Sequence, residues 1–200
     1  MPTAQTSQET LQITLTTALK EWSVAIDALA NGETILLLRK GGIKEHQGKF
    51  VAEANQVVLF PTFEHQKPEL LKPQYQSAVK PVIKGWHPET ITLKAWANIT
   101  HIFLTDDADK VARLSAFHIW QSNLAQERLK WKPKQPLYVL ALRTYRLPEP
   151  IVLNWRESYG GCRSWLPLAD KIAVNAEGTA AINEAEYWSQ VEEISQVLNS

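Results

Sequence analysis

The residues best suited to chemistry follow an apolar run at 57–60, which breaks at Pro61. They include Glu64 and His65, whose side chains act as general base and acid, or bind a divalent metal together with a third carboxylate. A histidine that only stabilises a turn after a proline fits the same pattern. The pair therefore predicts either a catalytic site or a structural turn.

A second polar stretch follows the apolar run 36–38, where Arg39 and Lys40 precede a double glycine at 41–42. Backbone amides of a glycine-rich turn beside fixed cations bind phosphate or carboxylate groups. A charged strand end that enters a tight hairpin turn has the same sequence. Because both polar stretches follow strand-like runs, we expect them at strand ends, where α/β proteins commonly place sites.

Arg143 interrupts an otherwise apolar, strand-like run at 137–147. An arginine on an apolar strand face needs an anionic partner. A carboxylate of the protein, such as that of Glu21 or Glu64, and a bound ligand both meet this need, so Arg143 is a candidate ligand-binding residue.

The glycine-containing stretch 159–165 reads as a loop and carries Arg163 and Trp165, a cation and an aromatic ring suited to a phosphate-bearing ligand. It also holds Cys162, which is either a thiolate nucleophile beside a cation or a small buried apolar residue. His118, on the apolar side of a predicted helix, reads as a hydrogen-bonded core residue.

The composition excludes several classes of protein. The chain has 200 residues, 44% of them hydrophobic, and 21 basic residues balance 21 acidic ones. This balance argues against a dedicated duplex-DNA binder, whose affinity rests on positive charge. The single cysteine excludes an intramolecular disulfide and CxxC zinc sites. No apolar run approaches a membrane span and no signal pattern begins the chain, so we expect a cytoplasmic protein without a membrane partner.

The pattern along the chain predicts a disordered lead at 1–9 and a single α+β domain at 10–200, with an irregular proline-rich insertion at 67–89. We expect a central, mainly antiparallel sheet or small barrel, flanked by an N-terminal, a central and a C-terminal helix. The predicted helices cover 10–30, 106–129 and 184–198, with Asp106 and Asn183 as N-caps, and the predicted strands cover 33–40, 56–60, 90–104, 137–147 and 151–153.

Several blocks of the sequence resemble an uncharacterised bacterial family, the domain-of-unknown-function family 1802. The resembling blocks are 18–22, 37–43, 59–66, 118–120, 143–148 and 159–165. This family has no established activity, so the resemblance implies none.

A weaker resemblance is to PUA-like barrels of the ASCH type, in which a helix leads to a glycine and then to a strand ending in arginine, as in 29–39. The lysine and glutamate of that short motif are missing here, and Leu37 stands where the acid is expected. Such barrels bind RNA or modified nucleotides, and some are hydrolases.

The sequence is therefore consistent with three functions. The first is binding of a phosphate-bearing ligand, either a nucleotide or single-stranded nucleic acid, through Arg39, Lys40, Arg143, Arg163 and Trp165, with support from Phe63 or Trp120. The second is a metal-assisted phosphodiesterase or nuclease centred on Glu64 and His65, with Glu21 or Glu53 nearby. The third is a non-catalytic interaction protein that uses some of its eight tryptophans.

Overall fold

The computed structural model describes residues 11–41, 43–46, 49–130 and 135–200 and shows a mixed α+β fold. Its strands are β1 Gln12–Trp22, β2 Leu36–Arg39, β3 Lys44–His46, β4 Lys49–Val51, β5 Gln56–Thr62, β6 Thr90–Thr105, β7 Leu137–Asn154, β8 Trp165–Asn175 and β9 Thr179–Ala180. Its helices are α1 Ser23–Asn31, α2 Pro73–Gln76, α3 Ala108–Arg113, α4 Ser122–Lys130 and α5 Glu184–Asn199. The predicted disordered lead at 1–9 lies outside the described residues.

The main sheet is open and mostly antiparallel, as the sequence predicts. Within the described residues it has seven strands in the order β2-β7-β6-β5-β1-β8, with β9 added beside β7. Strands β1 and β5 run parallel, and their pairing ends at Trp22 and Thr62. β3 and β4 pair antiparallel as a separate two-stranded sheet. The parallel pair therefore brings two carboxyl ends to the same edge of the sheet.

The sheet separates two apolar clusters. The helix-side cluster packs residues of α1, α3, α4 and α5 against one face, and Leu19 and Leu59 belong to it. The opposite cluster contains Ala18 and Phe60, together with Tyr159. Because side chains alternate along β1 and β5, each strand contributes to both clusters, as expected for strands buried on both faces.

The predicted helix 10–30 is wrong in its first half, because residues 12–22 form β1 and the helix begins only at Ser23. The apolar residues of β1 mimic helical spacing because the pairing with β8 shifts register between Leu15 and Thr17. Such a shift interrupts the two-residue alternation that marks a strand. The threonines of this stretch favour a strand, although the spacing of its apolar residues is typical of a helix.

The predicted helix 106–129 is divided. α3 ends at Arg113, a 3₁₀ turn covers Leu114–Phe117, and His118 is extended. Backbone hydrogen bonds to the proline-rich stretch divide it, since the amide of Lys72 donates to the carbonyl of Ile119 at 2.9 Å. His118 is buried as expected, but it lies between helices rather than on one. The N-cap is Asp107, not Asp106.

Strand β7 continues past Pro148, where the sequence predicts its end, and includes the predicted strand 151–153. Its pairing with β6 jumps from Arg146 to Ile151, so the prolines occupy a bulge where no ladder hydrogen bond is required. The predicted loop 159–165 leads into β8, which the sequence analysis missed.

The terminal helix is confirmed as α5, and Asn183 caps it by accepting a hydrogen bond from the amide of Glu186 at 2.9 Å. The proline-rich stretch 67–89 contains the expected short helical pieces, a 3₁₀ turn at Pro68–Leu70 and α2. None of the described helices is long and apolar enough to cross a membrane.

Candidate functional site

A cavity of about 830 Å³ opens at the carboxyl ends of the parallel strands β1 and β5. Four cations, three carboxylates and an aromatic wall line it: Lys20, Arg39, Arg128 and Arg163; Glu21, Glu64 and Glu157; and Trp22, Phe60, Phe63, Trp86, Trp155 and Tyr159. Both polar stretches that follow strand-like runs contribute to it, as expected for side chains at strand ends. Its volume suits a small ligand or a few units of a polymer.

Glu64 and His65 both line the cavity, in the turn that follows β5. Oε1 of Glu64 accepts a hydrogen bond from the amide of Gly85 at 2.5 Å. His65 has a φ of 61°, a backbone conformation that a non-glycine residue adopts at a local energetic cost. Their role as catalytic acid and base stays a prediction. The hydrogen bond from Gly85 shows that Glu64 also fixes the backbone at residue 85.

Residues 85–88 line the cavity and contribute Trp86 and His87 to its wall. The ring of Trp86 meets Phe63 edge-on at 6.0 Å between centroids. His87 stacks on Trp155 at 3.5 Å with the planes 5° apart. These ring contacts build an aromatic wall on the cavity, and aromatic walls favour ligands that carry a flat ring.

Arg39 lies at the end of β2 and is held by Glu21. Its Nη1 donates to Oε2 of Glu21 at 2.7 Å and to the carbonyl of Lys20 at 3.1 Å. Both side chains are largely withdrawn from water, at 12% and 10% exposed. Glu21 also accepts from the amide of Trp22 at 2.9 Å, so the pair fixes one corner of the cavity.

Lys20 and Arg163 are both tied to backbone carbonyls of the loop before β8. Nζ of Lys20 donates to the carbonyls of Tyr159 at 2.7 Å and Gly161 at 2.9 Å. Nη2 of Arg163 donates to the carbonyl of Ser158 at 2.8 Å. Neither side chain forms an ion pair with any residue that the structure describes.

The electrostatics of Lys20 reflect this arrangement. Burial lowers the pKa of its ammonium group, and the positive charge of Arg163 lowers it further. Cys162 and Glu64 favour the charged form, although Glu64 lies beyond ion-pair distance. Two cations thus face one part of the cavity without a paired carboxylate, and an anionic ligand group would relieve their repulsion.

Arg128 reaches the cavity from α4. Burial lowers the pKa of its guanidinium and Arg39 adds to this shift, while Glu21 and Glu127 oppose it. It has no hydrogen bond or ion pair with the part of the chain that the structure describes. Glu21 therefore acts on both guanidinium groups, although among the described residues it forms an ion pair only with Arg39.

The other predicted ligand-binding residues lie elsewhere. Lys40 is buried and donates to the carbonyl of Gln135, and Trp165 is buried in the helix-side cluster. Arg143 donates to the carbonyls of Ile182 at 3.0 Å and Asn183 at 3.1 Å, and its guanidinium lies over the Tyr187 ring. None of the three lines the cavity.

Arg143 was expected to meet either a carboxylate such as Glu21 or a ligand, and it meets carbonyls and an aromatic ring instead. Carbonyl oxygens satisfy guanidinium donors as well as carboxylates do geometrically. Trp120 is buried and meets Trp22 edge-on at 5.1 Å, so it supports the wall without lining it.

Cys162 is exposed and lines the cavity, in contrast to the buried alternative. The described residues contain no group of three or more His, Cys, Asp or Glu placed to hold a metal ion. Glu53 does not line the cavity. The metal-assisted reaction therefore has no donor set among the described residues beyond the predicted pair Glu64 and His65.

The sequence analysis did not identify Lys20, Arg128 or Trp155 as site residues. Lys20 was missed because β1 was interpreted as a helix; in a strand, its place beside Glu21 at the strand end is informative. Arg128 is one of several charges on a polar helix, and no local signal separates it from the others. Trp155 immediately follows β7, whose end was predicted too early.

Comparisons with known proteins add two findings. No curated protein is significantly similar to this chain. Similar solved structures include an ASCH protein from Zymomonas mobilis, 11% identical with a TM-score of 0.46, covering 88% of this chain and 93% of that one. A single-residue variant of the same protein is 11% identical with a TM-score of 0.45, over 89% of this chain and 94% of that one.

The family resemblance predicted from the sequence blocks is confirmed. The model of the family described as Domain of unknown function (DUF1802) matches residues 18–193, which include every block of the resemblance and all of the residues that line the cavity. The chain belongs to the DUF1802 family.

Proposed function

We propose that the cavity binds a phosphate-bearing ligand with a flat ring, either a nucleotide or single-stranded nucleic acid. The observation that carries this proposal is the pair Lys20 and Arg163, two cations without a carboxylate partner among the described residues, in a cavity with aromatic walls. Phosphate needs fixed donors of positive charge. A base needs an aromatic face or edge, and Phe63, Trp86 and Trp155 supply these.

The balance of charge across the chain is consistent with a local site of this kind. A protein of zero formal net charge has no general attraction for polyanions, so affinity must come from the cavity itself. Stacking adds about 1–3 kcal/mol per base and two phosphate contacts add a comparable amount. The proposal therefore implies moderate affinity for short ligands.

The test is fluorescence anisotropy with short end-labelled single-stranded RNA and DNA, with unlabelled nucleotides as competitors, at low and high salt. We expect binding that weakens as salt rises, and that falls on the order of tenfold in Arg163→Gln. The matched control is Arg156→Gln, since Arg156 is an exposed arginine paired with Asp170 at 3.1 Å and does not line the cavity.

A second pair of variants tests the aromatic wall. Trp86→Ala should weaken binding, whereas Trp188→Ala should not, because Trp188 is 45% exposed on α5 and does not line the cavity. Absence of binding by the wild-type chain at low salt contradicts the proposal. So does equal loss in the Arg163 and Arg156 variants, because that result would mean diffuse attraction.

A further inference from the structure

The cations of the cavity fall into two groups on opposite faces of the sheet. Lys20 and Glu21 are consecutive in β1, so their side chains project to opposite faces. Nζ of Lys20 lies 6.0 Å from the ring centroid of Phe60, which belongs to the cluster opposite the helices. Glu21 instead meets Arg39, and both Lys20 and Glu21 line the cavity. The cavity therefore wraps around the end of β1.

The first group is Lys20 and Arg163. Both are anchored on carbonyls of the loop 158–161, and neither has an ion-pair partner among the described residues. Hydrogen bonds to carbonyls hold the side chains in place without an ion-paired carboxylate to neutralise their charges. Since an ammonium group has three donors and Nζ of Lys20 uses two, the group keeps donor capacity for an anion.

The second group is Arg39 and Arg128 around Glu21. Glu21 pairs with Arg39 at 2.7 Å, while Arg128 makes no hydrogen bond or ion pair within the described ranges. Glu127 also acts on Arg128, but from beyond ion-pair distance. Within the described residues Arg128 therefore keeps its guanidinium donors for a ligand. A guanidinium group presents a planar set of donors suited to phosphate.

Resting on the proposed function, we infer that the ligand is a single strand of nucleic acid with a phosphate at each of these two groups, rather than a mononucleotide. The end of β1 stands between the groups, since Lys20 belongs to the first, Glu21 holds Arg39 in the second, and these consecutive side chains project to opposite faces. The adjacent phosphates of a nucleoside diphosphate occupy one group at a time. Phosphates on either side of a nucleoside reach both.

The experiment is isothermal titration of the whole chain with three deoxyadenosine ligands: the 5′-monophosphate, the 3′,5′-bisphosphate and the 5′-diphosphate. We expect the 3′,5′-bisphosphate to bind on the order of tenfold more tightly than the monophosphate. The 5′-diphosphate has the same number of phosphates but should gain much less, because its phosphates cannot separate.

Two variants then assign the phosphates. Arg163→Gln and Arg128→Gln should each remove the contribution of one phosphate, and the two variants should remove different ones, as read from binding of the mono- and bisphosphates to each variant. Arg156→Gln is the control and should bind all three ligands as the wild type does. Circular dichroism checks that each variant is folded.

The outcomes separate this inference from the proposed function. If the monophosphate binds but the 3′,5′-bisphosphate gains nothing, or if the 5′-diphosphate gains as much, the two-phosphate inference is overturned and the proposed function stands. It is also overturned if both variants remove the same phosphate. If none of the ligands and no short single strand binds, the proposed function fails and the inference fails with it.

Discussion

Replacing Glu21 by Gln should destabilise the protein far more than replacing Asp27 by Asn, although both carboxylates are in ion pairs of the same length. Glu21 pairs with Arg39 at 2.7 Å, and Asp27 pairs with Lys94 at 2.7 Å. The side chains of the first pair are 12% and 10% exposed, and those of the second are 52% and 48% exposed. The two pairs therefore differ mainly in burial, and Glu21 has the Trp22 amide as an additional donor.

The expected costs follow from that difference. Leaving a buried charge without its partner costs about 3–5 kcal/mol. The side-chain amide that replaces the Glu21 carboxylate would still accept one hydrogen bond, so we expect about 2 kcal/mol. An exposed pair contributes about 0.5 kcal/mol. For a chain of this length the first value lowers the melting temperature by roughly 4–8 °C and the second by about 1–2 °C.

The assay is urea denaturation followed by tryptophan fluorescence, for each single variant and for the double variants Glu21→Gln with Arg39→Gln, and Asp27→Asn with Lys94→Gln. The double variants measure the coupling within each pair and remove the contribution of the Trp22 amide. Equal losses of unfolding free energy in Glu21→Gln and Asp27→Asn would refute the reasoning from burial.

The same variant gives a second, opposite readout. Glu21→Gln removes a negative charge that two guanidinium groups share, so binding of a phosphate-bearing ligand should tighten while the folded state is destabilised. Asp27→Asn should leave binding unchanged and lower stability only by the small amount given above. Weaker binding in a folded Glu21→Gln protein would mean that this carboxylate positions Arg39 for the ligand more than it neutralises it.

Three further predictions concern the scaffold. Burial lowers the pKa of His118 to about 4 from 6.5. The free energy of unfolding should therefore be at its full value above about pH 6.5 and fall by about 3 kcal/mol as the pH decreases toward 4. Urea titrations at several pH values should show this loss in the wild type and a flatter profile in His118→Asn. Gly32→Ala should cost more than Gly85→Ala in the same assay; both have positive φ, but a Cβ on Gly32 would lie 2.6 Å from Ile182 and one on Gly85 would meet nothing within 4 Å. Asn183→Ala should cost about 1 kcal/mol through loss of the α5 cap, read from the thermal midpoint.

Much of the fold could be predicted because local and tertiary preferences agree in most elements. α5 has a capping box and an apolar stripe, and both act within a few residues of each other. β1 could not be predicted from spacing, because a register shift in its pairing with β8 disguised the alternation. The prolines of β7 likewise read as a strand end, since nothing local shows that they lie in a bulge.

The candidate site could be predicted only in part, for the same physical reason. Arg39, Glu64 and His65 were found because each follows an apolar strand and changes the local chemistry abruptly. Lys40 comes directly after Arg39 but is buried away from the cavity, because consecutive residues at a strand end point in opposite directions. Whether these side chains meet in one cavity depends on the order of the strands in the sheet. The pattern of residues along the chain does not specify that order.

Strand order also explains why the cavity forms where it does. After β1 the chain turns into α1, which packs on the helix-side face, while after β5 it passes through Phe63, which packs on the opposite cluster. Two parallel strands whose following segments go to opposite faces leave a crevice at their carboxyl ends, as in open α/β sheets. Within the described sheet, the β1–β5 pair is parallel and the other pairs are antiparallel. A crevice of this origin is lined from both faces at once, and for that reason Lys20 and Glu21, adjacent in sequence and opposite in direction, belong to the same cavity.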